Sequence, residues 1–83
     1  MKRVAVYKPA AQRELGRMDR TEAERVLRAV DVLATTGHGD VKALKGALKG
    51  RYRLRVGRWR VFFSLDQPGS IVVIDIDNRG QAY

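Results

Sequence analysis

Between residues 51 and 65, apolar and polar positions alternate with a period of two. Tyr52, Leu54, Val56, Trp59, Val61, Phe63 and Leu65 fall on one side, and Arg53, Arg55, Arg60 and Phe62 on the other. Such alternation marks strands with one buried face. Gly57-Arg58 interrupts it as a two-residue link with glycine first, the pattern of a type II′ hairpin turn. The implied register sets Val56 opposite Trp59, Arg55 opposite Arg60, Leu54 opposite Val61 and Arg53 opposite Phe62. Like charges directly opposite each other destabilise a sheet. A ribbon that accepts Arg55 against Arg60 is therefore expected to serve a polyanion.

The flanking segments are patterned differently. Val4 and Val6 suggest a short first strand that ends before Pro9, since proline favours an extended residue before it and suits the first turn of a helix. Ala11, Leu15 and Met18 then recur at helical spacing, and Gly16 with Met18-Asp19-Arg20 weakens that helix near its end. Thr21-Glu22-Ala23-Glu24 has the form of a capping box opening a second helix. Ala23, Val26, Leu27, Val30, Leu33 and Ala34 form its apolar face, and Gly37 is its expected stop. Residues 40–50 contain a small tandem, Ala43-Leu44-Lys45-Gly46 and Ala47-Leu48-Lys49-Gly50, read as a loop with one leucine tucked beneath it. Asp66-Gln67-Pro68-Gly69 is a turn. Ser70 to Asp77 reads as a last strand with Val72, Ile74 and Ile76 toward the core, leaving Asp75, Asp77 and Arg79 on the arginine side. The order β-α-α-β-β-β predicts one α+β domain over residues 1–83. Its helical hairpin is expected to pack on a mainly antiparallel four-stranded sheet.

Composition narrows the function. Seventeen Lys+Arg against nine Asp+Glu leave a net charge of +8, which favours nucleic acid, an acidic protein or an anionic surface as partner. The absence of cysteine excludes disulfides and thiolate metal sites. The N-terminal apolar run is too short for a signal peptide, and no segment is long enough to span a bilayer. A cytoplasmic protein without metal, cofactor or membrane is the expectation.

The element order, with Leu44-Lys45-Gly46, the hairpin Tyr52-Arg53-Leu54-Arg55-Val56-Gly57 running into Trp59-Arg60-Val61-Phe62-Phe63, and the ending Asp77-Asn78-Arg79-Gly80-Gln81-Ala82-Tyr83, resembles the RelE/ParE toxin superfamily. The resemblance covers nearly the whole chain. It implies the toxin half of a toxin–antitoxin pair, with a cognate antitoxin as partner. RelE-like members cut messenger RNA in the ribosomal A site, so ribosome and mRNA are implied partners too; ParE-like members act on DNA gyrase. Arg53 and Arg55 match two basic residues before the hairpin turn of RelE-like enzymes, and Arg60 an arginine after it. Arg79 matches a basic residue after the last strand, and Tyr83 a terminal tyrosine. These positions favour the RNA-cutting branch. Asn78 departs from the histidine or basic residue that relatives often carry.

Metal-free RNA cleavage needs an activated 2′-oxygen, a stabilised phosphorane and a protonated leaving oxygen. Guanidinium groups suit the second task, being planar, permanently charged and able to grip two phosphate oxygens. Arg55, Arg60 and Arg79 are the candidate clamp, with Arg53 orienting the RNA. Tyr83 is a candidate acid or base only if nearby cations lower its pKa. Arg51, Arg58, Lys45, Lys49 and Phe62 are candidate RNA contacts. Phe62 is open between base stacking and packing, whereas Tyr52 and Trp59 are expected in the core. His38, the only histidine, is expected as a solvated loop residue. Asp75 and Asp77 are expected to compensate the arginines, and Arg25 and Arg28 to form a solvated helix face. A gyrase-directed protein binder and a nucleic-acid-binding domain without activity are the competing readings.

Overall fold

The computed structural model describes residues 2–78. The extended strand β1 (Val4–Tyr7) runs through Lys8, held at ψ 160°, straight into α1 (Pro9–Arg17), which has proline in its first turn. Helix α2 (Arg20–Thr36) follows, then strands β2 (Val41–Ala43), β3 (Arg51–Val56), β4 (Trp59–Ser64) and β5 (Ser70–Asn78), with a single 3₁₀ turn at Gly46–Leu48. The sheet order is β1-β5-β4-β3-β2. β1 runs parallel to β5, and every other pair is antiparallel.

The α+β architecture is the one expected, but the sheet has five strands rather than four. The addition is β2, in the segment read as a loop. Its residues are all exposed, so it has no buried face to announce it; what makes it a strand is the ladder Val41↔Leu54, Lys42↔Arg53 and Ala43↔Tyr52. Leu44 is half-buried, the one tucked leucine, while Leu48 is exposed.

Both helices cover one face of the sheet. Ala11 of α1 and Val26, Val30, Leu33 and Ala34 of α2 are buried in one cluster with Leu54, Val56, Trp59, Val61, Phe63, Ile71, Val73 and Ile76. Burying a Val, Leu or Ile side chain contributes roughly 1.5–3 kcal/mol, so this layer is the main source of stability. Leu27, placed on the buried face by its spacing, is 42% exposed at the margin of the layer.

Two local expectations are corrected. The capping box does not form: α2 starts at Arg20, with Asp19 at the N-cap and no side-chain cap bond. The Ala23 N–H closes the first turn on the Asp19 carbonyl, which places Thr21 inside the helix, and Glu24 pairs with Arg20 at 3.4 Å. At the other end Gly37 does stop the helix in the left-handed region, φ 81°, its N–H bonded to the Leu33 carbonyl. The second correction lies in β5. Phe62 pairs with Asp75 and Phe63 with Val73, so Ile74 is an extra residue at a bulge. The bulge reverses the alternation. Ile71 and Val73 before it and Ile76 after it join the core; Val72 is buried on the opposite face and Ile74 is half-buried.

Candidate nucleic-acid interface

The hairpin adopts the register read from its alternation, from Val56↔Trp59 through Arg55↔Arg60 and Leu54↔Val61 to Arg53↔Phe62. Gly57 has φ 60° and no other residue type among the described ones takes positive φ, which fits a turn with its left-handed position first. Because Leu54, Val56, Trp59 and Val61 are in the core, Arg53, Arg55, Arg60 and Phe62 occupy the sheet face turned away from the helices.

Three residues shape the charge on that face. Arg60 is held by Asp77, its cross-strand neighbour on β5: Nε donates to Oδ1 at 2.8 Å and Nη2 to Oδ2 at 3.0 Å. The expected compensation by Asp77 is therefore present, and it is specific to Arg60. Asp75 lies opposite Phe62 and instead accepts the Ile76 N–H at 2.8 Å. Arg53 and Arg55 are different again. Their Nε atoms are buried without a hydrogen-bond partner, and among the described residues neither arginine pairs with a carboxylate. Phe62 lies beneath the Arg60 guanidinium, 6.0 Å from ring centre to Cζ.

Lys42 belongs to this face and was missed by sequence reasoning. Strand β2 places it directly opposite Arg53. The only prior signal was a three-residue alternation, Val41-Lys42-Ala43, too short to read. Arg51 is exposed at the far end of β3. The Leu44 N–H bonds to the Arg51 carbonyl, which brings the exposed Lys45 and Lys49 to that same end. Arg58 does not join the cationic face. Its Nη2 donates to Glu22 Oε2 on α2 at 3.1 Å, and its guanidinium sits 5.7 Å from the Trp59 ring centre. Arg79 and Tyr83 lie outside the described residues.

The remaining candidates behave as structural residues. Trp59 is buried, with its indole N–H donated to Glu22 Oε1 at 3.1 Å, and Tyr52 stacks on Phe63 at 5.5 Å. The Trp59 hydrogen bond, then the Arg58 bond and charge, hold the Glu22 carboxyl below its usual range. Burial, with Asp31 adding to it, pushes the Tyr7 phenol up to about 12. His38 is exposed in the loop after α2, where its backbone N–H donates to Thr36 Oγ1. Arg25 and Arg28 are exposed on α2. A groove of about 600 Å³ runs beside α2 and meets the cationic face at Arg55. Among the described residues there is no cluster of acidic or imidazole groups fit for a metal, and no helix is long and apolar enough to cross a membrane.

The face thus offers two guanidinium groups with no ion pair among the described residues, a third fixed in orientation, and a lysine. It can bind a phosphodiester and stabilise charge developing on it. None of these cations is suited to take up a proton at neutral pH, arginine least of all.

Residues 5–83 match the ParE toxin of type II toxin-antitoxin systems, parDE. The chain belongs to this family. It is a type II toxin of the RelE/ParE superfamily, as its motifs implied. No curated protein sequence matches it. Among solved structures, the RelBE2 toxin-antitoxin complex from Mycobacterium tuberculosis contains a similar chain, with a TM-score of 0.83 at 21% identity over 95% of this chain and all of that one. The archaeal RelE-RelB complex from Pyrococcus horikoshii OT3 gives 0.79 at 24% identity, covering 99% and 100%. A YoeB/ParE toxin from Agrobacterium tumefaciens gives 0.75 at 20% identity, covering 94% and 98%. At these identities the likeness establishes the toxin fold. The family match carries the ParE name, while the cationic positions had pointed to the RelE-like branch.

Proposed function

We propose that this toxin is a metal-independent endoribonuclease that cuts messenger RNA in the ribosomal A site and so blocks translation in the cytoplasm. The observation that carries this reading is the pair Arg53 and Arg55, charged, without an ion pair among the described residues and beside a pre-oriented Arg60. A protein stores such repulsion on an open sheet face when an anion completes it. In the reaction, the 2′-oxygen attacks the adjacent phosphorus in line and expels the 5′-oxygen of the next nucleotide. Arg55 and Arg60 grip the non-bridging oxygens as negative charge builds on them. Arg53 and Lys42 align the backbone on either side. Arg79 and Tyr83 are proposed to complete the clamp and to move the proton. Because the described face lacks a strong base, the ribosome's hold on the message in an in-line geometry supplies much of the acceleration.

Induced expression, followed by mapping of message ends, tests the reading. Cuts at codon positions within translated frames are the expected result. Arg55→Ala is expected to abolish both the cuts and the growth arrest, with a melting temperature equal to or above that of the parent, because it removes a like-charge pair.

The match to the ParE family favours a second reading, a protein binder directed at DNA gyrase. Blocked replication with intact messages is its signature, and that outcome replaces the first. Under either reading the partner is an antitoxin whose acidic segment folds over the cationic face, as charge complementarity favours and as the solved RelE complexes with RelB suggest.

A further inference from the structure

The proposed chemistry does not use the contact between the hairpin turn and helix α2, which joins three side chains outside the cationic face. Glu22 projects from the first turn of α2 and accepts two bonds, one on each oxygen. Trp59 Nε1 donates to Oε1 and Arg58 Nη2 to Oε2, both at 3.1 Å. Arg58 also lies over the Trp59 ring. Trp59 and Arg58 are neighbours at the mouth of the turn, and the Val56–Trp59 pair is one step from Arg55–Arg60. The two arginines that repel each other thus sit next to the point where the ribbon is fastened to the helix.

We propose that Glu22 is a positioning residue: by clasping Trp59 and Arg58 it pins the hairpin end and keeps Arg55 and Arg60 facing each other against their repulsion. It acts through the sheet, from the opposite face, and touches neither arginine. The arrangement suits the task. A bond from a half-buried indole N–H to a carboxylate is charge-assisted and directional. An ion pair as exposed as Arg58–Glu22 contributes little by itself, but it fixes the second carboxylate oxygen. A glycine-led turn has no side chain of its own at Gly57 to do this fastening.

A clasp of this kind is detectable without enzymatic activity. Were the clasp merely one stabilising contact among many, its loss would add to the loss of a charge on the opposite sheet face with which it shares no partner. If it restrains the repelling pair, relieving the repulsion must make the clasp less necessary. Thermal melts of the full chain with Trp59→Phe, Arg55→Gln and both together decide this. Trp59→Phe removes the N–H without changing charge, so a long-range field effect between Glu22 and Arg55 does not enter. We expect a fall in Tm of about 5 °C in the parent, and half of that or less in the Arg55→Gln background. Equal falls in the two backgrounds overturn the proposal. If Trp59→Phe does not fold, the same cycle with the equally uncharged Trp59→Leu replaces it, and the same equality overturns the proposal.

A second arm rests on the nuclease reading. On ribosome-bound message, Glu22→Ala is expected to lower kcat about tenfold with KM within twofold, since a displaced clamp fails chiefly in the transition state. Glu22→Gln, which keeps an acceptor oxygen for Trp59, is expected to recover most of that loss. An unchanged kcat in Glu22→Ala overturns the positioning role. If the parent toxin does not cut message, it is the function that fails, and the melting cycle still judges the clasp.

Discussion

Arg55 and Arg60 face each other across the ribbon in opposite electrostatic conditions. Arg60 is bidentate with Asp77, and so is held in one plane with its charge partly balanced by a half-exposed acid. Arg55 has a buried, unsatisfied Nε and no ion pair among the described residues, although Asp40, whose carbonyl accepts the Arg55 N–H, is its neighbour on the β2 side. A phosphate entering this face meets net charge at Arg55 and Arg53, and fixed direction at Arg60. Removing the balancing acid should therefore be felt as electrostatics. Asp77→Asn is expected to bind a short single-stranded RNA more tightly and to steepen the dependence of log K on log salt by about 0.7, the contribution of one more neutralised phosphate. Titration of binding across a salt series measures this, and an unchanged slope means that Asp77 screens nothing the RNA contacts. Which arginine receives the acid was only half legible. The parity of Asp75 and Asp77 put both on the right face, but the choice of Arg60 depends on the cross-strand partner, which no local pattern specifies.

Among the elements, the hairpin was read in full because both signals agreed: period-two alternation and a glycine-led turn. Its turn depends on backbone conformation. A Cβ at Gly57 would make only an ordinary van der Waals contact, with Arg25 Nη1 at 3.9 Å, so the cost of Gly57→Ala is that of positive φ alone. A loss of about 1–2 kcal/mol is expected, read as a lowered denaturation midpoint at unchanged m-value. Strand β2 and the β5 bulge were illegible for a common reason. Each is imposed by a neighbouring strand, one by pairing Lys42 with Arg53, the other by leaving Ile74 between Asp75 and Val73, and neither changes local composition. The capping pattern at Thr21 misled because helix α2 closes its first turn from Asp19, and the Glu22 side chain turns to the hairpin. That contact has an acid signature. Glu22 ionises in the fold below the ordinary value of 4.5, so its stabilising contribution is complete above that pH and is lost as pH falls through the lowered folded value. Melting curves taken through the acid range should show a shallower decline in Glu22→Gln than in the parent.

For the molecule as a whole, β5 is the keystone of the sheet. It pairs with β1 on one side and β4 on the other, and α1 packs on it. Amide exchange should accordingly be slowest in β4 and β5 and fastest in the short, exposed β2, a gradient that exchange measured by NMR will resolve; equal protection across all five strands contradicts it. The helical layer and the net positive charge were legible from spacing and counts, but the central place of β5 was not, because parallel pairing of Val4 with Ser70 joins distant parts of the sequence. That pairing orders events at birth. β1, both helices and the arginine ribbon all leave the ribosome before the strand that unites them, so the core of a nascent chain stays open until residues 70–78 have emerged.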